Sequence, residues 1–203
     1  MTAAGHRAKT GEQGRRPPSE SGGDFSGYKK DWRNKNGKHF RLRAIRPSDR
    51  EKMVRFHKSL SDETVYQRYF FPKNLSQRIE PDRLIRICSI DYDMEMVVVA
   101  ESMDDPESGF IVGVSRLNRL GDGTTGEVAV LTVDSQQGQG LGKAMLRSIL
   151  EIAQEKQMAC LFVDILLENR IAQNLFRQLG FQIDPKSEDG SVRARLSLES
   201  DDR

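Results

Sequence analysis

The stretch Ser135–Leu146, SQQGQGLGKAML, decides how the rest of the chain is read. Gly138, Gly140 and Gly142 alternate with Gln139 and Leu141, and an apolar run at helical spacing follows directly. Glycine costs a helix roughly 1 kcal/mol relative to alanine, so three glycines at a helix start must serve another purpose. The first amides of a helix have no intrahelical partner, and the helix dipole favours negative charge there. Removing side chains at alternate positions lets a diphosphate reach those amides, which converge on it as a nest. Lys143 either adds charge to that nest or faces solvent.

Working outward, Met145, Leu146, Ile149, Leu150 and Ala153 share one face of a long amphipathic helix. MACLFVDILL (158–167) is a continuous apolar run suited to a central strand. NRIAQNLFRQLG (169–180) predicts a second amphipathic helix with Ile171, Ala172, Leu175, Phe176 and Leu179 inward and Gly180 as its stop. FQI and SVRARLSL supply final strands around a turn at Pro185 and Gly190. Upstream, MEMVVVAES, GFIVGVSRLNRL and EVAVLTV predict three antiparallel strands, the last two joined at GDGTTG. Before them, HFRLRAI alternates as a first strand ended by Pro47. Ser48 and Glu51 form a capping-box signature for a helix carrying Met53, Phe56, His57 and Leu60 on one stripe. His57 there is either a histidine on the helix flank or a general base. A second short helix starts at Ser61 and closes at Pro72, and SQRIEPDRLIRICSI predicts a third. The order predicts one α/β (α+β) domain around a central mixed sheet.

Residues 1–35 hold eight Lys/Arg against four Asp/Glu, whereas the remaining residues hold 24 against 26. Gly, Ser, Pro and charge dominate up to Lys38, so residues 1–38 are expected to be a disordered basic tail and 39–203 the folded domain. Scattered charges without interleaved aromatics argue against a nucleic-acid surface. Apolar runs such as MVVVA and ACLFV are too short to span a bilayer, and the first residues hold no apolar signal segment. The expectation is therefore a cytoplasmic protein without membrane contact. Cys88 and Cys160 lack zinc-site spacing and sit in apolar patterns, which predicts buried reduced thiols and no metal.

Two familiar phosphate loops fail on residues. A nucleoside-triphosphate loop would need glycine at Gln137 and Ser or Thr at Ala144; a dinucleotide fingerprint would need glycine at Lys143. The pattern that fits is Gln/Arg-x-x-Gly-x-Gly/Ala, met by Gln137, Gly138, Gln139, Gly140, Leu141 and Gly142. About 30 residues on, ENRIAQNLFRQLGF (168–181) matches an Asn-x-x-Ala…aromatic…Gly-Phe ending. With both motifs the chain resembles the GNAT family of N-acetyltransferases over roughly residues 40–198. LRAIRPSDREKM, LSDETVYQRYFF, SIDYDMEMVVVAE and GEVAVLTVDSQQGQGLG are most similar to the acetyltransferase domain of bacterial protein lysine acetyltransferases.

The resemblance implies the GNAT fold, a mostly antiparallel mixed sheet flanked by helices, with acetyl-CoA as acyl donor. It implies backbone contacts to the donor from Leu131 and Val133, pyrophosphate binding by residues 137–143, and a pantetheine contact from Asn169, which also fits as a helix N-cap. The implied acceptor is a protein lysine, with acyl-CoA synthetases among the substrates. A small amine, or a non-catalytic acyl-CoA-binding module, are the alternatives. In that family the domain is often joined to a nucleotide-binding or synthetase-like domain, for which this chain is expected to have no room. A lysine with pKa near 10.4 leaves about one molecule in 10³ neutral at pH 7, so acyl transfer needs a base. Glu127 opens the strand EVAVLTV on the face of Ala129, Leu131 and Val133, and it matches the family's proposed catalytic glutamate. Many relatives carry a tyrosine, their proposed acid, where this chain has Phe176. Tyr92 is a conceivable substitute, and Asp91, Asp93 and Glu95 either guide a cationic lysine or form a solvated loop.

Overall fold

The structure, a computed structural model, describes residues 25–104, 109–184 and 190–198. Its strands are β1 (Lys29–Arg33), β2 (His39–Ala44), β3 (Glu95–Ser102), β4 (Ile111–Arg119), β5 (Thr125–Thr132), β6 (Cys160–Leu166), β7 (Gln182–Ile183) and β8 (Ser191–Ser197). They form one sheet in the order β1-β2-β3-β4-β5-β6-β8-β7. Every pairing is antiparallel except β5 with β6. A parallel neighbour needs a crossover, and here helix α5 (Leu141–Glu155) supplies it. The predicted mixed, mostly antiparallel sheet flanked by helices is the architecture observed.

The two faces carry separate cores. On one, Met145, Leu146, Ile149 and Ile152 of α5 pack on Val98, Leu117 and Val128. A Cβ on Gly113 would lie 2.7 Å from Met145 Sδ, so glycine there lets α5 settle directly on β4. On the other face, α1 (Arg50–Lys58), α2 (Asp62–Tyr69) and α4 (Pro81–Cys88) cover Val97, Val99 and Leu131. Met53, Phe56 and His57 are buried there, on the stripe their spacing predicts.

Several expectations are corrected. The tail expected over 1–38 ends sooner: Lys29–Arg33 pairs with β2, Phe25 enters the core, and Trp32 packs on Phe40 at 5.7 Å. Charges dominate this segment because it is an edge strand, and they mask Phe25, Tyr28 and Trp32; residues 1–24 lie outside the described residues. The Ser48–Glu51 capping box does not form. Pro47–Asp49 is a 3₁₀ turn, and the Asp49 carboxylate accepts from Arg46 N at 2.8 Å. Ser61 caps α2 as expected, but that helix ends at Tyr69, with Phe70 at φ +66°, before Pro72. The third helix is broken at Pro81 into α3 (Leu75–Arg78) and α4. In α6 (Arg170–Arg177), Ile171 is not inward but 83% exposed. Cys88 is a buried free thiol pushed up to about 11 by burial, while Cys160 is free but only half-buried. Of the final turn, Pro185 lies outside the described residues. No helix among the described residues is long and apolar enough to cross a membrane.

Asp49 belongs to a buried ion network. Arg43 donates to both Asp49 carboxylate oxygens at 2.8 Å and to Glu101 at 3.1 Å, and Lys52 also reaches Glu101. Burial pushes the Glu101 carboxyl up, but the hydrogen bonds from Arg43 and Lys52 outweigh it and leave it below the usual value. A carboxyl lowered on folding adds stability that is present above its unfolded pKa of about 4.3 and is lost as pH falls through the lower folded value. The stability measured by chemical denaturation is therefore expected to fall below about pH 4, with a shallower slope for Glu101→Gln than for the parent chain.

Candidate functional site

β5 and β6 begin as neighbours and then separate. Their register runs from Thr125↔Cys160 to Glu127↔Phe162 and stops, although both strands continue. Between the diverging ends lies a cleft of about 950 Å³, floored by Glu127–Thr132 of β5 and walled by Val163–Ile165, α6, α2 and the start of α5.

Antiparallel pairing directs both polar groups of every second residue to the same neighbour. Val133 N donates to Val112 O at 2.9 Å and Thr125 O accepts from Leu120 N at 2.8 Å, so odd-numbered residues of this strand bond to β4. Even-numbered residues face β6, where Thr124 O accepts from Ala159 N at 2.8 Å. The amides of Leu131 and Val133 are thus turned away from the cleft, which corrects the expected donor contacts. Past the last β5–β6 pair, the N–H groups of Val130 and Thr132 line the opening instead. The sequence shows which strand supplies donors, but their parity follows from register alone.

At one end of the cleft lies the residue 137–143 turn. Gly138 has φ +70° and Gly140 φ +88°, left-handed values that favour glycine. Gly140 is the N-cap of α5, and no side chain caps the helix; its first turn carries no acidic residue. Ala144 N makes the first intrahelical bond, to Gly140 O at 3.0 Å, so the N–H groups of Leu141, Gly142 and Lys143 stay available. Gln137, Gly138, Gly140, Gly142 and Lys143 line the cleft. Leu141 sends its side chain into the core at 1% exposure, and Gln139 braces the turn, accepting from Asn34 Nδ2 at 2.8 Å and donating to Ser135 O at 2.7 Å. Lys143 Nζ donates to Gln178 Oε1 at 2.9 Å.

Behind the turn, the Asp134 carboxylate accepts from Ser61 Oγ at 2.6 Å and Thr64 Oγ1 at 2.8 Å, while Gln137 Nε2 donates to Thr64 Oγ1 at 2.9 Å. These bonds tie the start of α2 to the glycine turn. Sequence reasoning missed Asp134, whose partners are some 70 residues away.

Glu127 stands at the other end, half-buried where the ladder ends, its side chain on the face of Ala129 and Leu131. Asn169 lines the cleft and caps α6, its Oδ1 accepting from Ala172 N at 2.9 Å. Phe176 is buried edge-on against Phe181 at 5.0 Å and offers no proton. Tyr92 donates its hydroxyl to Ile45 O at 2.7 Å, in a structural role. Of the acidic trio, Asp91 accepts from Asp93 N at 3.0 Å within a turn, and Glu95 pairs with Arg116 at 2.8 Å.

Comparison with known proteins agrees with this geometry. The model of the acetyltransferase (GNAT) domain matches residues 39–182. An acetyltransferase of Pseudomonas aeruginosa, PA5475, is 30% identical over 165 residues, 80% of this chain and 86% of that protein. The GNAT domain of S. lividans PAT superposes with a TM-score of 0.75 at 27% identity, covering 84% of this chain and 97% of that one. Mycobacterium smegmatis RimJ, solved with CoA-disulfide, superposes at 0.65 with 16% identity, over 86% and 89% of the two chains. The chain belongs to the GNAT acetyltransferase family.

Proposed function

We propose that this protein transfers the acetyl group of acetyl-CoA to a primary amine by direct attack, with Glu127 as the base. The observation that carries the reading is the single cleft joining the uncapped, glycine-lined start of α5 to Glu127. The diphosphate of the donor lies on the amides of residues 138–143, and its pantetheine arm runs between the split strands along Val130, Thr132 and Asn169. The amine nitrogen attacks the thioester carbonyl carbon, the N–C bond forms, its proton passes to Glu127, and the C–S bond breaks to release the CoA thiolate. Backbone N–H groups polarise the carbonyl, a contribution of a few kcal/mol when the donors are preorganised. Phe176 donates no proton, so the thiolate leaves as such or takes one from water.

For the acceptor, the sequence resemblance to bacterial protein lysine acetyltransferases supports a protein lysine, with acyl-CoA synthetases as candidate substrates. A small amine is the second reading, favoured by a basic cavity that reaches β5 at Ala129, two residues from Glu127. Incubating a cell lysate with the protein and isotopically labelled acetyl-CoA, followed by mass spectrometry, tests both. Labelled amides on protein lysines or on small amines support the respective acceptor. Absence of any labelled amide, with the donor shown by calorimetry to bind, would reduce the chain to a binding module.

A further inference from the structure

A second cavity, of about 170 Å³, lies on the α1–α2–α4 face and shares Arg68, Tyr69, Ala129 and Leu131 with the large cleft. Its walls are cationic. Arg68, Arg83 and Arg116 line it, and Lys73 stands 4.8 Å from the Tyr69 ring, which Arg68 and Arg83 also flank at 5.4 and 5.8 Å. Among the described residues, Glu95, bonded to Arg116, is the one carboxylate in an ion pair with these four groups. His57 also lines the cavity at 2% exposure, and neither of its ring nitrogens has a hydrogen-bond partner; Arg83 Nε has none either.

A buried polar group without a partner costs roughly 1–3 kcal/mol, and natural folds rarely leave several around one void. Like charges gathered out of water add to that cost. Both effects register on the groups themselves. Burial, then Arg83, Arg78 and Lys73, hold the His57 imidazole down to about 4, so it is neutral. Burial lowers Arg116, Glu95 partly offsets this, and Arg68 and Arg83 lower it further. The arrangement is unfavourable empty and favourable around an anion, to which the guanidinium groups donate charge-assisted hydrogen bonds.

Position says what that anion belongs to. Ala129 follows Glu127 by two residues on the same strand face, and Arg116 is its cross-strand partner, as Asn118 is of Glu127. Two residues of strand measure roughly 7 Å. We propose that the cavity is the acceptor's anion subsite: the substrate is a small amine bearing a carboxylate or phosphonate, held by Arg68, Arg83, Arg116 and His57 while its amine is presented to Glu127. The inference rests on the reading of Glu127 as base. It favours a small acid over a protein segment because the void, walled by the sheet and three helices, holds only about 170 Å³.

The test uses the full chain with matched probes: 5-aminovalerate, 4-aminobutylphosphonate, and butylamine as the twin that lacks the anionic group, beside lysine peptides flanked by Asp or by Ala. The anionic amines are expected to be acetylated with kcat/KM on the order of tenfold or more above butylamine, through KM. Arg83→Gln and Arg68→Gln should each abolish that preference while thermal stability stays equal or rises. Independently of turnover, the His57 ring resonances should shift with 5-aminovalerate in the presence of CoA and not with butylamine. Equal use of all small amines, or preference confined to the Asp-flanked peptide, overturns the subsite and leaves the acetyltransferase reading standing. A His57 shift without acetylation of any amine overturns the assignment of this anion site to the acceptor; no shift and no preference sinks the subsite.

Discussion

Glu127→Gln is expected to lower kcat by about 10²–10⁴-fold, the usual worth of a positioned base, while acetyl-CoA affinity stays close to the parent value. Glutamine preserves the side chain's shape where the β5–β6 ladder ends, so donor binding along Val130, Thr132 and residues 138–143 has no reason to change. What disappears is the acceptor for the amine proton. That role has a signature that mere disruption lacks. As pH rises toward the amine's own pKa, near 10.4 for lysine, a growing fraction of substrate arrives neutral and the variant should recover relative to the parent. Stopped-assay kcat over pH 7–10 with calorimetric Kd for acetyl-CoA decides it. An unchanged kcat, or a deficit that does not shrink with pH, would remove Glu127 as the base.

Gly140→Val should weaken acetyl-CoA binding on the order of 10²-fold, or about 2.7 kcal/mol. Space is not the obstacle, because a Cβ would sit 3.7 Å from the Trp32 ring, an ordinary contact. Conformation is: at φ +88° a β-branched residue costs roughly 1–3 kcal/mol. Relief of that strain would swing the amides of Gly140, Leu141 and Gly142 out of convergence. Gly140→Asn is the control, since asparagine tolerates the left-handed region and should lose much less. Calorimetry on the three chains measures the series. Wild-type affinity in the valine variant would place the phosphate elsewhere.

The architecture was largely legible because periodicity and turn chemistry are local signals. The three glycines announced a turn with uncrowded amides at the start of α5, the alternation in EVAVLTV announced β5, and Met145 to Ala153 announced the buried face of α5. Errors arose where a charged surface hid a minority of apolar residues, as at Phe25, Tyr28 and Trp32. They also arose where a distant partner took over a local role. Asp49 turns toward Arg43 and Arg46 N, and the cap predicted at Ser48 is not used.

The site divides along the same line. By its own letters the chain determined a strand, a glycine turn and a helix start in succession, with a glutamate at the strand's beginning, because backbone freedom and apolar spacing are properties of neighbouring residues. Only the tertiary structure decided which amides face the opening, since parity depends on hydrogen bonding to β4. It alone gathered His57, Arg68, Arg83 and Arg116 around one void, from α1, α2, α4 and β4. Residues up to 59 positions apart meet there, and no pattern along the chain records a cost in repulsion and desolvation that arises only when packing brings them together.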